Sequence, residues 1–168
     1  MTRPLFPRKC SGEAFAPVLN ELSDAVTGVP DSVTKAVLPH LDHYHAAPGE
    51  EHALGLAFGV RAGGKRPVVL MQNSGLGRSL DALLGLQQLY GAGCVLVVVN
   101  RGELEWEEPQ HQDWGDLTAP LLNLLPFPQI DFGETGLDGL RRCFELAFGP
   151  EEQTVILVVH RGNIDETA

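Results

Sequence analysis

The apolar and polar positions over residues 66–84 predict a strand, a tight turn and a helix in direct succession. Val68–Met71 is a short apolar run with β-branched residues and follows Pro67, which is typical of a buried strand. A polar, glycine-bearing turn comes next at 72–77, and leucines then recur at helical spacing. These elements form half of a βαβ unit. In open α/β sheets, ligands bind beyond the carboxyl ends of the strands, where turns of this kind lie.

The same succession of short apolar runs and helical periods extends along the chain. Further strands are expected at 25–30, 43–47, 94–99, 127–132 and 154–159. Further helices are expected at 11–26, 31–41, 48–62 and 136–148, with a short helix or turn at 118–125. This order predicts one three-layer α/β sandwich with a mostly parallel sheet of about six strands. We expect residues 1–10, which carry two prolines and three cations, to form a flexible arm, and residues 11–168 to form a single domain.

The stretch at 100–115 is the longest polar segment between predicted elements, and we expect it to be a functional loop. Its centre is dense in carboxylates, amides and one histidine, which also fits a solvated acidic loop. Trp106 and Trp114 flank that centre and indicate that part of the segment packs against other structure.

Composition and charge exclude several classes of function. The chain has 168 residues and a net charge of −10, so it lacks the basic face that nucleic-acid binding needs. No apolar run approaches the roughly 18 residues of a membrane span, and the N-terminus has no apolar core of a signal peptide. Its three cysteines are far apart, which favours a reducing, cytoplasmic setting.

The NSGLG sequence within the turn at 72–77 leaves several interpretations open. It lacks the third glycine of a dinucleotide fingerprint, and Arg78 would crowd the start of the helix. It has no GK[ST] of a P-loop, and Gln72 stands where a nucleophile elbow has glycine. Ser74 or Asn73 could simply cap the following helix.

Four histidines cluster in sequence and are candidates for a metal site: His40, His43, His45 and His52. Their spacing matches no standard closed set of zinc ligands. Histidines at the surface or at strand ends are the simpler interpretation, so we expect no metal site in this chain.

Glu50 and Glu51 lie at the predicted start of a helix, where acidic side chains complement the helix dipole. A second interpretation places Glu50 in a cleft beside the NSGLG turn, where its carboxyl could exchange a proton with a ligand nitrogen. The spacing alone does not decide between the two.

Four blocks in this order resemble the pyrimidine-binding half of the thiamine-diphosphate decarboxylases. They are TGVPDS (27–32), GEEHALGLAFG (49–59), PVVLMQNSGLG (67–77) and NRGELEWEEPQHQDWGDLTAPLL (100–122). MQNSGLG and EPQH are specific for the subgroup that acts on phosphonopyruvate and sulfopyruvate, whereas the other blocks are looser. The resemblance covers most of the chain and implies the pyrimidine-domain type of α/β fold.

The resemblance also implies roles for individual residues. Glu50 matches the catalytic glutamate that hydrogen-bonds the aminopyrimidine ring and favours its imino tautomer. The residues that match the cofactor-binding turn are Asn73, Ser74 and Gly75. The residues that match the two substrate-facing loops are Asp31, Ser32, Gln110 and His111. A phosphonate or sulfonate would also need a cation, for which Lys35 and Arg101 are near in sequence.

In this family a second domain with a GDG motif holds the diphosphate through Mg2+, and no GDG occurs here. We therefore expect one subunit of a split decarboxylase, inactive alone, with a diphosphate-binding beta subunit in an α2β2 or larger assembly. The cofactor would be thiamine diphosphate, with Mg2+ held mainly by the partner, and the substrate 3-phosphonopyruvate or 3-sulfopyruvate. Departures at Arg78, His52 and Asn100 leave the substrate open. The alternatives are another 2-oxo acid as substrate, or a non-catalytic α/β binding or regulatory subunit.

Overall fold

The computed structural model describes residues 9–165, which form eight strands and six α-helices. The strands are β1 (Cys10–Ser11), β2 (Ala25–Gly28), β3 (Tyr44–Ala46), β4 (Pro67–Gln72), β5 (Val95–Asn100), β6 (Gln129–Asp131), β7 (Val155–His160) and β8 (Ile164–Asp165). The helices are α1 (Gly12–Leu22), α2 (Glu50–Ala62), α3 (Asn73–Ala82), α4 (Pro109–Leu124), α5 (Phe132–Thr135) and α6 (Leu137–Ala147). Within these residues, no helix combines the length and apolar character that crossing a membrane would require.

Six strands form the main sheet in the order β3-β2-β4-β5-β7-β6, and every neighbouring pair is parallel. The two most apolar runs, β5 and β7, lie inside the sheet and are buried along their whole length, because a parallel sheet is covered on both faces. The short strand β6 occupies one edge of the sheet. Pro128, which precedes it and has no N–H, is tolerated there because an edge strand pairs on one side only. All carboxyl ends of these strands therefore meet at one edge of the sheet.

Helices cover both faces of the sheet and divide the core in two. Alternate residues of β4 point to opposite faces: Val68 and Leu70 pack with α1 and α6, and Val69 and Met71 pack with α2 and α3. The predicted three-layer α/β sandwich with a parallel sheet of six strands is confirmed.

The predicted helix at 31–41 is wrong. This segment forms two short 3-10 turns, Thr34–Ala36 and Leu38–His40. Pro39 has no N–H to donate and disfavours the α conformation of the residue before it, which weakens a regular helix here. Proline is not decisive by itself, because α1 contains Pro17 and α4 contains Pro120.

The predicted loop at 100–115 is shorter than expected, because α4 already begins at Pro109 and runs for 16 residues. Proline is favoured at the first position of a helix, where its missing N–H would have no partner. The expected short helix at 118–125 is the second half of α4. Gln110 and His111 consequently lie in the first turn of a long helix rather than in a free loop.

Other boundaries differ by a few residues. Ser11 caps α1 as predicted, its Oγ accepting from the backbone N–H of Ala14, but α1 ends at Leu22 rather than at 26. Helix α3 begins directly at Asn73, so the NSGLG sequence is its first turn, and a π-helical stretch at Leu83–Gln88 continues it. Residues 1–8 of the expected arm lie outside the described residues. Cys10, its last residue, belongs to β1 and pairs with Ile164 of β8.

The aromatic pair between α1 and α5 allows a test of the core. Phe15 and Phe132 are both 1% exposed, and their ring centroids lie 5.4 Å apart. Replacing Phe15→Ala should lower the free energy of unfolding by about 3–5 kcal/mol, because it removes buried apolar surface and leaves a cavity. Urea titration of this chain measures the change. Leu124→Ala is the control, since Leu124 is 82% exposed and should change the value by less than about 0.5 kcal/mol. Equal effects of the two substitutions would contradict this packing.

Candidate functional site

The candidate site lies at the carboxyl edge of the sheet, where α3 begins without a connecting loop after β4. Glu50 is the first residue of α2, and its side chain lies against Gly75 in the first turn of α3. A Cβ atom at position 75 would come within 2.7 Å of Oε1 and Cδ of Glu50. Only glycine therefore allows the carboxylate to lie so close to the backbone of α3.

Glu50 has an unusual environment for a carboxylate. It is 7% exposed, and among residues 9–165 its carboxylate has no hydrogen bond or salt bridge. A largely buried carboxyl group without a partner in the protein is suited to share a proton with a ligand nitrogen. Its neighbour Glu51 differs, because its Oε1 forms a salt bridge with Arg78 at 3.2 Å and lies 3.4 Å from Nδ1 of His52, while its Oε2 is buried without a partner among the described residues.

Asn73 is completely buried, and its side chain forms hydrogen bonds within the protein. The two hydrogens of its Nδ2 are shared among three acceptors: Oδ1 of Asn100 at 2.9 Å, the carbonyl oxygen of Arg101 at 2.9 Å and Oγ1 of Thr118 at 2.8 Å. These acceptors belong to the end of β5, the residue after it and α4. The amide of Asn73 therefore fastens the start of α3 to two other elements, and its side chain does not face a cleft.

The other two residues of the predicted cofactor turn differ in exposure, because Ser74 is partly exposed and Gly75 is buried. Ser74 is half-buried, and its Oγ accepts from Nε2 of Gln72 at 2.6 Å. Gly75 is the residue in contact with Glu50. Of the three predicted cofactor-binding residues, the structure thus brings Gly75 next to the predicted catalytic glutamate.

Asp31 shapes the loop after β2. Its Oδ1 accepts from the backbone N–H groups of Val33 at 2.7 Å and Thr34 at 3.1 Å, and its Oδ2 accepts from Oγ1 of Thr34 at 2.6 Å. This is the capping arrangement typical of an aspartate at a turn. The neighbouring Ser32 is partly exposed, and its Oγ accepts from Nη1 of Arg101 at 2.6 Å.

Gln110 and His111 lie at the start of α4. Gln110 is exposed, whereas the His111 side chain is 12% exposed and its Nε2 lies 3.8 Å from the Glu108 carboxylate. The segment before α4 is stabilised by Glu107, whose Oε1 accepts three backbone N–H groups, from residues 102, 103 and 104. Burial by itself raises the pKa of Glu107, but hydrogen bonds from Arg101 and from this backbone outweigh it and lower the pKa below its usual range.

A histidine between two carboxylates lies at the same edge, and no sequence pattern predicts it. His160 ends β7; its Nδ1 lies 2.6 Å from Glu103 and its Nε2 lies 2.9 Å from Asp131. Burial lowers the pKa of His160, but the two carboxylates outweigh it and raise the pKa above its ordinary value of 6.5. These residues line a cavity of about 450 Å³ between α4, β6 and β7. Glu103 is 57 positions away in sequence, so no local pattern indicates the contact.

The histidine cluster in the sequence does not form a compact group at this edge. His40, His43, His45 and His52 are all exposed. Within residues 9–165, no group of three or more histidine, cysteine, aspartate or glutamate side chains is arranged to hold a metal ion.

Comparison with known proteins gives curated relatives of one kind. The chain is 30% identical over 123 residues to the sulfopyruvate decarboxylase subunit alpha of Methanococcus maripaludis, which covers 70% of this chain and 74% of that one. It is 40% identical over 80 residues to the subunit of the same name from Methanothermobacter thermautotrophicus. That match covers 47% of this chain and 48% of the relative. No protein-family model matches the chain.

Solved structures share the fold at low sequence identity. A Mycobacterium smegmatis protein assigned to the thiamin diphosphate-dependent enzymes has a TM-score of 0.69 and 16% identity, over 90% of this chain and 31% of that one. The 2-oxoglutarate:ferredoxin oxidoreductase of Magnetococcus marinus has a TM-score of 0.64 and 16% identity. The match covers 96% of this chain and 31% of that one. This chain spans about a third of those longer chains. The similarity confirms the predicted fold type.

The environment of His160 predicts a pH dependence of stability. Because folding raises the pKa of this imidazole, its contribution is complete below its unfolded pKa and is lost as the pH rises through the folded pKa. Asp116 and Glu134 also line the cavity that contains His160. The free energy of unfolding should therefore fall from pH 6 to pH 9, and His160→Asn should remove most of that fall. His43→Asn, at an exposed position, is the control in urea titrations. The same fall in His160→Asn as in the unmodified chain would refute the prediction.

Proposed function

This chain belongs to the family of sulfopyruvate decarboxylase alpha subunits, and from that premise we propose that it is one subunit of a thiamine-diphosphate-dependent 2-oxo acid decarboxylase. The family was predicted from the sequence and is confirmed by the curated relatives. The proposed reaction releases CO2 from 3-sulfopyruvate or 3-phosphonopyruvate and gives the corresponding acetaldehyde.

The observation that carries the proposal is the position of Glu50. A carboxylate that is 7% exposed, without a partner among residues 9–165 and against Gly75, offers a hydrogen-bonding group to a flat ring that enters beside the first turn of α3. An aminopyrimidine fits this arrangement, because its ring nitrogen can share a proton with a carboxyl group and its face can lie on a backbone without a side chain. Bound thiamine diphosphate supplies the electron sink for loss of CO2.

In this proposal the protein positions the pyrimidine ring, excludes water from it and moves one proton. The Glu50 carboxyl holds a proton on Oε toward the pyrimidine ring nitrogen and so selects the tautomer of the ring. Burial of Glu50 keeps water from competing for that hydrogen bond. Ser74 and Gly75 line the ring, while Asn73 acts indirectly by fixing α3 in place.

The diphosphate and its Mg2+ are proposed to bind mainly to a beta subunit, in an α2β2 or larger assembly. The name of the relatives, subunit alpha, supports a partner chain. Large apolar side chains on α2 and around the π-helical stretch provide a surface for such a partner: Leu56, Leu84, Leu89 and Tyr90, which are 45–73% exposed. A cytoplasmic location remains our proposal from the unpaired cysteines.

The substrate is proposed to bind between the loop after β2 and the start of α4, where Asp31, Ser32, Gln110 and His111 lie. Lys35 is exposed on the first of these segments and is free to approach an anion. Two alternatives stand beside this proposal: another 2-oxo acid as substrate, or a subunit that retains the fold without catalysis. Competition among 3-sulfopyruvate, 3-phosphonopyruvate and pyruvate in the assembled enzyme distinguishes the substrates.

Substitution of Glu50 tests the catalytic role. Glu50→Gln keeps the shape of the side chain but cannot exchange the proton, so turnover of the assembled enzyme should fall by about 10²–10⁴-fold. Glu51→Gln is the matched control, because Glu51 is the adjacent acid and pairs with Arg78 at the surface. Size-exclusion chromatography verifies that both variants still assemble. Unchanged turnover in assembled Glu50→Gln would favour the non-catalytic alternative.

Assay of the separated chain tests the proposed division of the site. This chain, supplied with thiamine diphosphate and Mg2+ but no partner, should give no decarboxylation above background. The reason is that it contains no GDG motif to hold the diphosphate. Addition of a diphosphate-binding subunit should restore turnover. Full activity of this chain on its own would refute the split.

A further inference from the structure

Arg101 lies at the centre of the carboxyl edge, where the sequence suggested a direct cation for the substrate. It follows β5 and is 3% exposed. Each of its three side-chain nitrogens donates to a different residue: Nε to Glu107 at 2.7 Å, Nη1 to Ser32 at 2.6 Å and Nη2 to Glu108 at 2.9 Å. A guanidinium that is buried and shared in this way cannot also wrap around a substrate anion.

The same residue joins the segments that were predicted to bind cofactor and substrate. Its carbonyl oxygen accepts from Nδ2 of Asn73 at 2.9 Å, which connects it to the start of α3. Its side chain reaches Ser32 in the loop after β2 and Glu108, the N-cap residue of α4. A planar guanidinium can hold three acceptors at fixed angles, which an ammonium cannot do with the same geometry.

The hydrogen bond to Ser32 fixes the direction of the serine hydroxyl. Because Ser32 Oγ accepts from Nη1 of Arg101, its own hydrogen must point elsewhere, and it finds no acceptor among the described residues of the chain. Ser32 is partly exposed, so this hydrogen is available to a ligand. Hydrogen bonds to charged groups are stronger than neutral ones, and here the guanidinium polarises the hydroxyl toward an anionic acceptor.

We infer that Arg101 is a positioning residue that orients the Ser32 hydroxyl as a hydrogen-bond donor to the anionic end of the substrate. The inference rests on the proposed function and deepens it. The recognised group is a tetrahedral acid, sulfonate or phosphonate, and it contacts Ser32 rather than the arginine. The two carboxylates of Glu107 and Glu108 balance the buried positive charge of Arg101 and hold its guanidinium group in place.

Steady-state kinetics of the assembled enzyme tests this inference with 3-sulfopyruvate and 3-phosphonopyruvate. Ser32→Ala should raise KM about tenfold or more and change kcat less than about threefold, because it removes a hydrogen bond to a charged group of the bound substrate. Ser32→Thr, which keeps a hydroxyl, should restore most of the affinity. Arg101→Lys should raise KM similarly, and the double variant with Ser32→Ala should lose little more, since both act through one contact.

The controls separate positioning from a loss of structure. Arg141→Lys alters an exposed salt bridge to Glu21 and should leave KM and kcat unchanged. If Arg101→Lys fails to assemble, the pair Ser32→Ala and Ser32→Thr still decides the matter, because Ser32 is partly exposed. An unchanged KM in Ser32→Ala, or equal falls of kcat and thermal stability without a KM effect, would overturn the inference. If the unmodified complex turns over neither acid, the proposed function fails instead.

Discussion

The arrangement of the carboxyl edge depends on one buried side-chain amide. Asn73 ends the sharp passage from β4 to α3, and its Nδ2 is shared among acceptors from β5, the segment after it and α4. Such an amide is costly to bury unless its hydrogen bonds are satisfied, so the three elements must keep their relative positions. Gly75 follows two residues later in the same helical turn, and Glu50 packs against it. The geometry of the candidate site is thus inherited from an interaction inside the core.

A second constraint comes from charges buried next to that amide. Glu107 accepts three backbone N–H groups and the Nε of Arg101, and Arg161 adds a contact at 3.4 Å. Removing either partner of a buried ion pair leaves an uncompensated charge, so the pair specifies one conformation of the segment before α4. His160 adds a similar link between Glu103 and the end of β6. The segment before α4, which the sequence indicates as part of a long polar loop, is therefore tied to its surroundings by hydrogen bonds and ion pairs where it enters the site.

The sequence predicts those features that depend on local pattern. The apolar runs of β4, β5 and β7 identify buried parallel strands because both of their faces are covered, and the order of elements then restricts the fold. The block around Glu50 predicts the juxtaposition with the NSGLG turn through family resemblance. The helix expected at 31–41 is replaced by two 3-10 turns, the second of which contains Pro39. The contact between Arg101 and Ser32 is beyond prediction from local pattern, since Ser32 is 69 positions away and only the folded sheet brings the two residues together.

The central claim is that the carboxyl group of Glu50 meets the ring of a bound coenzyme beside Gly75. A crystal structure of this chain assembled with its diphosphate-binding partner and thiamine diphosphate measures this directly. The account predicts a carboxylate oxygen of Glu50 within about 2.6–3.2 Å of a ring nitrogen of the aminopyrimidine, with the ring lying on the first turn of α3. A Glu50 side chain turned to bulk water, or an aminopyrimidine bound elsewhere, would contradict it.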